Sequence, residues 1–85
     1  MPIVVVERTF QEPMTPERAK AVSEEGAWCY ELHRINYLHS VISTDGLRMN
    51  CVYDAPDLEC VRKAQETTGV PYDKIWGGSF FELET

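Results

Sequence analysis

The chain has two histidines and three cysteines, and His39 has the setting best suited to chemistry. It falls in the stretch Asn36 to Pro56, NYLHSVISTDGLRMNCVYDAP. There, two runs rich in β-branched, aromatic and large apolar residues flank Asp45-Gly46. That dipeptide suits a two-residue type I′ hairpin turn, whose central residues both need φ > 0. With Thr44 set against Leu47, Ile42 faces Met49, Ser40 faces Cys51 and Leu38 faces Tyr53. Opposed residues share a sheet face. One face then carries Leu38, Ser40, Ile42, Leu47, Met49, Cys51 and Tyr53 and is core. The other carries Tyr37, His39, Val41, Ser43, Arg48, Asn50, Val52 and Asp54. On it, His39 lies opposite Val52, with Asn50 and Asp54 diagonal to it and Tyr37 two residues along the strand. Imidazole beside a carboxylate can ligate a metal, serve as a general base or make a pH-sensitive contact. Tyr37, His39, Asn50 and Asp54 are therefore the candidate ligand-binding set, with His39 and Asp54 as the metal ligands. The plainer reading is a histidine hydrogen-bonded within a dimer interface.

The other reactive side chains read as structural. His33 ends the first predicted helix, where a histidine complements the C-terminal dipole. Cys51 falls on the core face of a central strand and reads as a small hydrophobe. His39 and Cys51 point to opposite faces, so one subunit cannot bring both to one metal. Cys29 and Cys60 lie on separate helices, and a three-thiol site needs both to turn onto Cys51. Glu7 and Arg8 read either as solvated charges at a strand end or as a pocket pair. Tyr30, Tyr53, Trp76 and Phe80 read as core or interface aromatics, or as walls of a cleft between helices and sheet. No catalytic motif is present: the chain has no nucleophile elbow, phosphate loop, HExxH or four-ligand zinc set.

Composition narrows the classes. A chain of 85 residues predicts a single domain over residues 1–85. A net charge of −6 argues against nucleic acid and anionic membrane surfaces as partners. No apolar run approaches a membrane span, and MPIVVVERTF lacks the basic region and cleavage site of a signal peptide. An odd cysteine count with no CxxC pair points to free thiols in a reducing compartment. The predicted location is cytoplasmic.

The elements that must position His39 follow from pattern. Ile3 to Phe10 opens with the run IVVV of a central strand. Thr15-Pro16-Glu17 starts a helix by cap, first-turn proline and dipole-matched glutamate. It runs to about Leu32 and buries Ala19, Val22, Gly26, Cys29, Tyr30 and His33, with Gly26 allowing close approach to the sheet. Trp28 and Leu32 lie beside this stripe as partner contacts. Asp57 caps a second helix that buries Leu58, Val61 and Ala64 or Gln65 and stops at Gly69 and Pro71. Lys74 to Leu83 is the last strand, with a bulge or a close backbone approach at Gly77-Gly78. The order β-α-β-β-α-β predicts the α+β, ferredoxin-like fold, an antiparallel sheet in order 4-1-3-2 with both helices on one face. Tyr37, Val41 and Val52 on the uncovered face predict a homodimer, the dimeric α+β barrel.

VERTF at Val6 to Phe10, YLHS at Tyr37 to Ser40 and CVYDAP at Cys51 to Pro56 resemble the DUF4242 family of small proteins, which includes a nickel-binding protein. The resemblance continues through Val61-Arg62, Gly69 to Pro71 and Asp73 to Ile75. It implies the same dimeric barrel fold and, for some members, nickel binding. Many relatives place a histidine two residues after the helix arginine, where this chain has Ala64 followed by Gln65. The leading expectation is a homodimeric binding protein for a divalent transition metal such as nickel, with zinc and copper also suited to imidazole. One alternative is a small-molecule enzyme (an isomerase, cyclase or cofactor-free oxygenase) using His39 with Asp54 or Tyr37. The other is a structural or regulatory interaction module.

Overall fold

The computed structural model describes residues 2–81. Its elements are β1 (Ile3–Thr9), α1 (Pro16–Leu32), β2 (Asn36–Ile42), β3 (Arg48–Asp54), α2 (Leu58–Thr68) and β4 (Lys74–Gly78). The four strands form one antiparallel sheet in the order β2-β3-β1-β4. Alternation along β1 sends Val4, Val6 and Arg8 to one face and Ile3, Val5 and Glu7 to the other. Both helices lie on the first face, where Cys29 of α1 and Val61 and Ala64 of α2 join Val4, Val6, Cys51 and Tyr53 in the core.

Helix ends follow their local chemistry. The Thr15 hydroxyl accepts from Arg18 N at 3.2 Å, and Pro16 fills the first position of α1. The Asp57 carboxylate accepts from Cys60 N at 2.8 Å, and Gly69 closes α2 at φ 74°. Gly26 permits a close approach, but to α2 and not to the sheet. A Cβ there would meet Thr68 Cγ2 at 3.2 Å. Leu58 is partly exposed, and the buried positions of α2 are Val61, Ala64 and Gln65. Trp28 and Leu32 stand exposed on α1.

The hairpin departs from expectation in two places. Ser43 N donates to Arg48 O at 2.8 Å and Gly46 N to Ser43 O at 2.9 Å. Gly46 has φ 75°, whereas Asp45 is not among the positive-φ residues. The connection is thus a five-residue loop, Ser43 to Leu47, that contains a turn from Ser43 to Gly46, not a type I′ pair. Asp45 acts through its side chain, accepting from Ser43 Oγ at 2.6 Å and Leu47 N at 3.0 Å. The pairs Ile42–Met49, Ser40–Cys51 and His39–Val52 form as predicted, but a register shift between Tyr37 and His39 leaves Leu38 as the extra residue. Tyr37 therefore sits opposite Tyr53, where Leu38 was expected. The β1–β4 pairing is regular through Gly77 and Gly78, so the bulge belongs to β2 and not to β4. β4 ends at Gly78, short of the predicted Leu83: Ser79, Phe80 and Phe81 are not strand, and residues 82 and 83 lie outside the described residues.

Candidate functional site

His39, Asn50 and Asp54 share the face that the helices leave open. His39 is opposite Val52, Asn50 opposite Val41 and Asp54 opposite Asn36. Tyr37 does not join them, because the bulge at Leu38 reverses its direction. Its ring packs edge-on to Tyr53 with centroids 5.9 Å apart, and its hydroxyl donates to Ser40 Oγ at 2.9 Å. No side-chain hydrogen bond joins His39 to Asp54 among the described residues, so this carboxylate does not orient the imidazole. The neighbour of the imidazole is Phe80, 6.2 Å away between ring centroids and tilted by 32°. Beyond β4, at the far edge of the sheet, the chain thus turns back across the open face to reach β2. Asp54 Oδ1 is buried and has no hydrogen-bond partner among the described residues. A buried carboxylate oxygen without a donor or cation is costly, which makes Asp54 a group that needs something added.

The donor chemistry of this face fits a late first-row metal, since it offers imidazole nitrogen and carboxylate oxygen. The number of ligands within one chain does not. No group of three or more His, Cys, Asp or Glu side chains placed to hold a metal occurs among the described residues. Cys29 and Cys51 are free and buried in the core and Cys60 is free on α2, so no three-thiol site forms there. Ala64 is fully buried on the helical side and stands apart from His39.

A second polar assembly lies on the opposite, helical face and centres on Arg8. Only 4% of Arg8 is exposed. Its Nε donates to Cys51 Sγ at 3.4 Å and its Nη1 to Pro71 O at 3.0 Å. Its Nη2 donates to Tyr53 Oη at 3.1 Å and to Gln65 Oε1 at 2.6 Å. Gln65 Nε2 donates to Tyr30 Oη at 3.0 Å, and the Tyr30 and Tyr53 hydroxyls share a hydrogen bond at 3.2 Å. Burial disfavours the Arg8 charge, yet the neighbouring Tyr53, Cys51 and Tyr30 outweigh it, and the guanidinium stays above its ordinary pKa. Burial, with Cys51 and Tyr30 adding to it, pushes the Tyr53 phenol far above its ordinary pKa, so it remains an O–H donor. Glu7 is no partner to Arg8; it lies on the open face and accepts from Trp76 Nε1 at 2.7 Å.

Sequence reading offers Arg8 as a solvated strand-end charge or as one of a pocket pair with Glu7. Arg8 does line a pocket, but without Glu7, and the assembly with Tyr53, Gln65 and Tyr30 is not anticipated. Its signal was parity, because Arg8 is two and four residues on from Val6 and Val4 and so shares their buried face. Between α1 and the sheet, beside Arg8, lies a cleft of about 270 Å³.

The family model described as nickel responsive protein SCO4226-like matches residues 5–77. The chain belongs to this family. The crystal structure of SCO4226 from Streptomyces coelicolor A3(2) superposes with a TM-score of 0.82 at 11% identity, covering 94% of this chain and 99% of that one. At that identity the likeness establishes the fold alone. A comparison with curated proteins finds no match. No helix among the described residues is long and apolar enough to cross a membrane.

Proposed function

We propose that the protein is a homodimeric binding protein for a divalent transition metal, nickel in the first place. Two copies pair through their open sheet faces, and His39 and Asp54 contribute ligands where they meet. The observation that carries the reading is the buried, unpartnered Asp54 Oδ1 on the same face as His39. A cation satisfies such an oxygen directly. The ligand count supports the dimer: with Glu7 engaged by Trp76, one chain supplies a single imidazole and a single unpartnered carboxylate to the face, and a two-fold axis doubles both. The surface agrees, since Val41 is 66% exposed, Trp76 47% and Phe80 58%. Apolar area on this scale favours burial against a second copy, at roughly 25 cal/mol per Å² before association costs.

The family's description as nickel responsive supports nickel as the metal, and the DUF4242 resemblance points the same way. Three free cysteines fit a reducing, cytoplasmic setting. Metal analysis and sedimentation of protein purified without an affinity tag test the proposal. Nickel calorimetry on wild type and His39→Ala completes the test. A dimer that binds nickel stoichiometrically, and loses binding in His39→Ala while remaining a dimer, supports it. Equal binding by both proteins, or a monomer at micromolar concentration, contradicts it.

A further inference from the structure

We propose that the cleft between α1 and the sheet binds a small organic acid with an apolar body, its carboxylate met by Arg8 and by a phenol of the Tyr30–Tyr53 pair. The site lies on the helical face and stands apart from the metal reading.

Three features point to this ligand. The first is charge. Arg8 is buried, and no carboxylate forms an ion pair with it among the described residues, where Arg62–Glu59 is the side-chain salt bridge present. Buried charges are ordinarily paired, and here the partners of the guanidinium are a thiol, a backbone carbonyl, a phenol and an amide oxygen.

The second is the proton count. Arginine has five N–H donors. Nε serves Cys51, one Nη1 hydrogen serves Pro71, and both Nη2 hydrogens are taken by Tyr53 and Gln65. One Nη1 hydrogen is left over. Of the two phenolic hydrogens, one lies between Tyr30 and Tyr53, whichever donates. The other has no acceptor among the described residues, because the remaining contact of Tyr30 is with the Gln65 amide N–H, itself a donor. Arg8, Tyr30 and Tyr53 all line the cleft. The assembly thus has a surplus of donors around a positive charge, which a carboxylate with two acceptor oxygens satisfies.

The third is the shape of the remainder. Phe10, Met14, Val22, Ile35, Met49 and Val70 supply an apolar lining, and about 270 Å³ is at the small end for ligand sites. That size suits a small aromatic or short aliphatic acid and excludes nucleotides. Glu31 is exposed at the edge of the cleft and makes no ion pair with Arg8. Its negative charge opposes an incoming anion, so the ligand must be drawn by its apolar body as well as its charge.

Benzoate and hexanoate, against benzamide and hexanamide, test the proposal on the full chain by calorimetry and NMR. The acids should bind about tenfold or more tightly than the matched amides. They should move the signals of Tyr30, Tyr53 and the Arg8 Nε–H. Arg8→Met threatens the fold, so the decisive variants lie on α1. Val22→Trp should fill the cleft and abolish acid binding with the melting temperature retained. Tyr30→Phe should weaken it several-fold, and Glu31→Gln should tighten it. Equal affinity for acid and amide, no binding of either acid at millimolar concentration, or shifts centred on His39 would overturn the proposal.

Discussion

At the scale of the residue, the two sites differ in what holds them. Arg8 is a hub: removing it strands the Gln65 carbonyl and the Pro71 carbonyl with no donor. Each such loss costs about 1–3 kcal/mol, so Arg8→Met should lower stability by roughly 2–5 kcal/mol in urea titration. An unchanged midpoint would show that water replaces these bonds without penalty. His39 has no comparable structural role; it is exposed and contacts Phe80. His39→Ala should leave the unfolding midpoint nearly unmoved, while nickel binding to wild type should weaken as pH falls, because a protonated imidazole has no lone pair to donate. Pattern identified His39 because a histidine among β-branched residues stands out by type. Arg8 was legible only through its parity with Val4 and Val6. Its charge masked that signal, since buried arginines are rare and the stabilising partners, Tyr53, Gln65 and Pro71, come from distant parts of the chain.

At the scale of the element, the strands and helices were legible because their signals are local. Thr15-Pro16, Asp57 and Gly69 act within a turn of where they stand, and α1 and α2 begin and end accordingly. The hairpin register was legible from Ile42 to His39 because opposed residues must share a face. The bulge at Leu38 was not: β2 contains no glycine or proline to mark it, and its effect, turning Tyr37 toward Tyr53, depends on tertiary packing. The turn itself is testable. Gly46 has φ 75°, and a Cβ there would meet Pro13 Cβ at 3.0 Å and Met14 O at 3.1 Å. Gly46→Ala should therefore destabilise the protein by more than about 1 kcal/mol in denaturant titration, and a neutral outcome would contradict the loop described. The Asp45 carboxylate is held below its ordinary pKa of 3.8, first by the Ser43 hydroxyl and then by Leu47 N–H. A lowered folded-state pKa means that the unfolded chain takes up the proton first. Its contribution is present above the unfolded pKa and is lost as pH falls through the folded one. NMR titration should find the Asp45 carboxyl shifting at lower pH than a model aspartate.

At the scale of the whole molecule, the fold places two chemically distinct faces back to back. The helical face encloses the Arg8 assembly and its cleft, and the open face carries His39, Asp54 and an apolar surface. The pairing of two open faces is the step that completes the proposed metal site. Val41 is an exposed apolar residue of this surface on the edge strand β2, so Val41→Glu should shift sedimentation from dimer to monomer and weaken nickel binding together, without unfolding the chain. Retention of the dimer would move the interface elsewhere. The most direct test of the metal reading uses the paramagnetism of six-coordinate nickel. Addition of nickel to labelled protein at neutral pH should broaden the amide signals of His39, Val52 and Asp54 first and leave those of Tyr30 and Gln65 sharp. Broadening centred on the helical face, or none at stoichiometric nickel, would contradict the account.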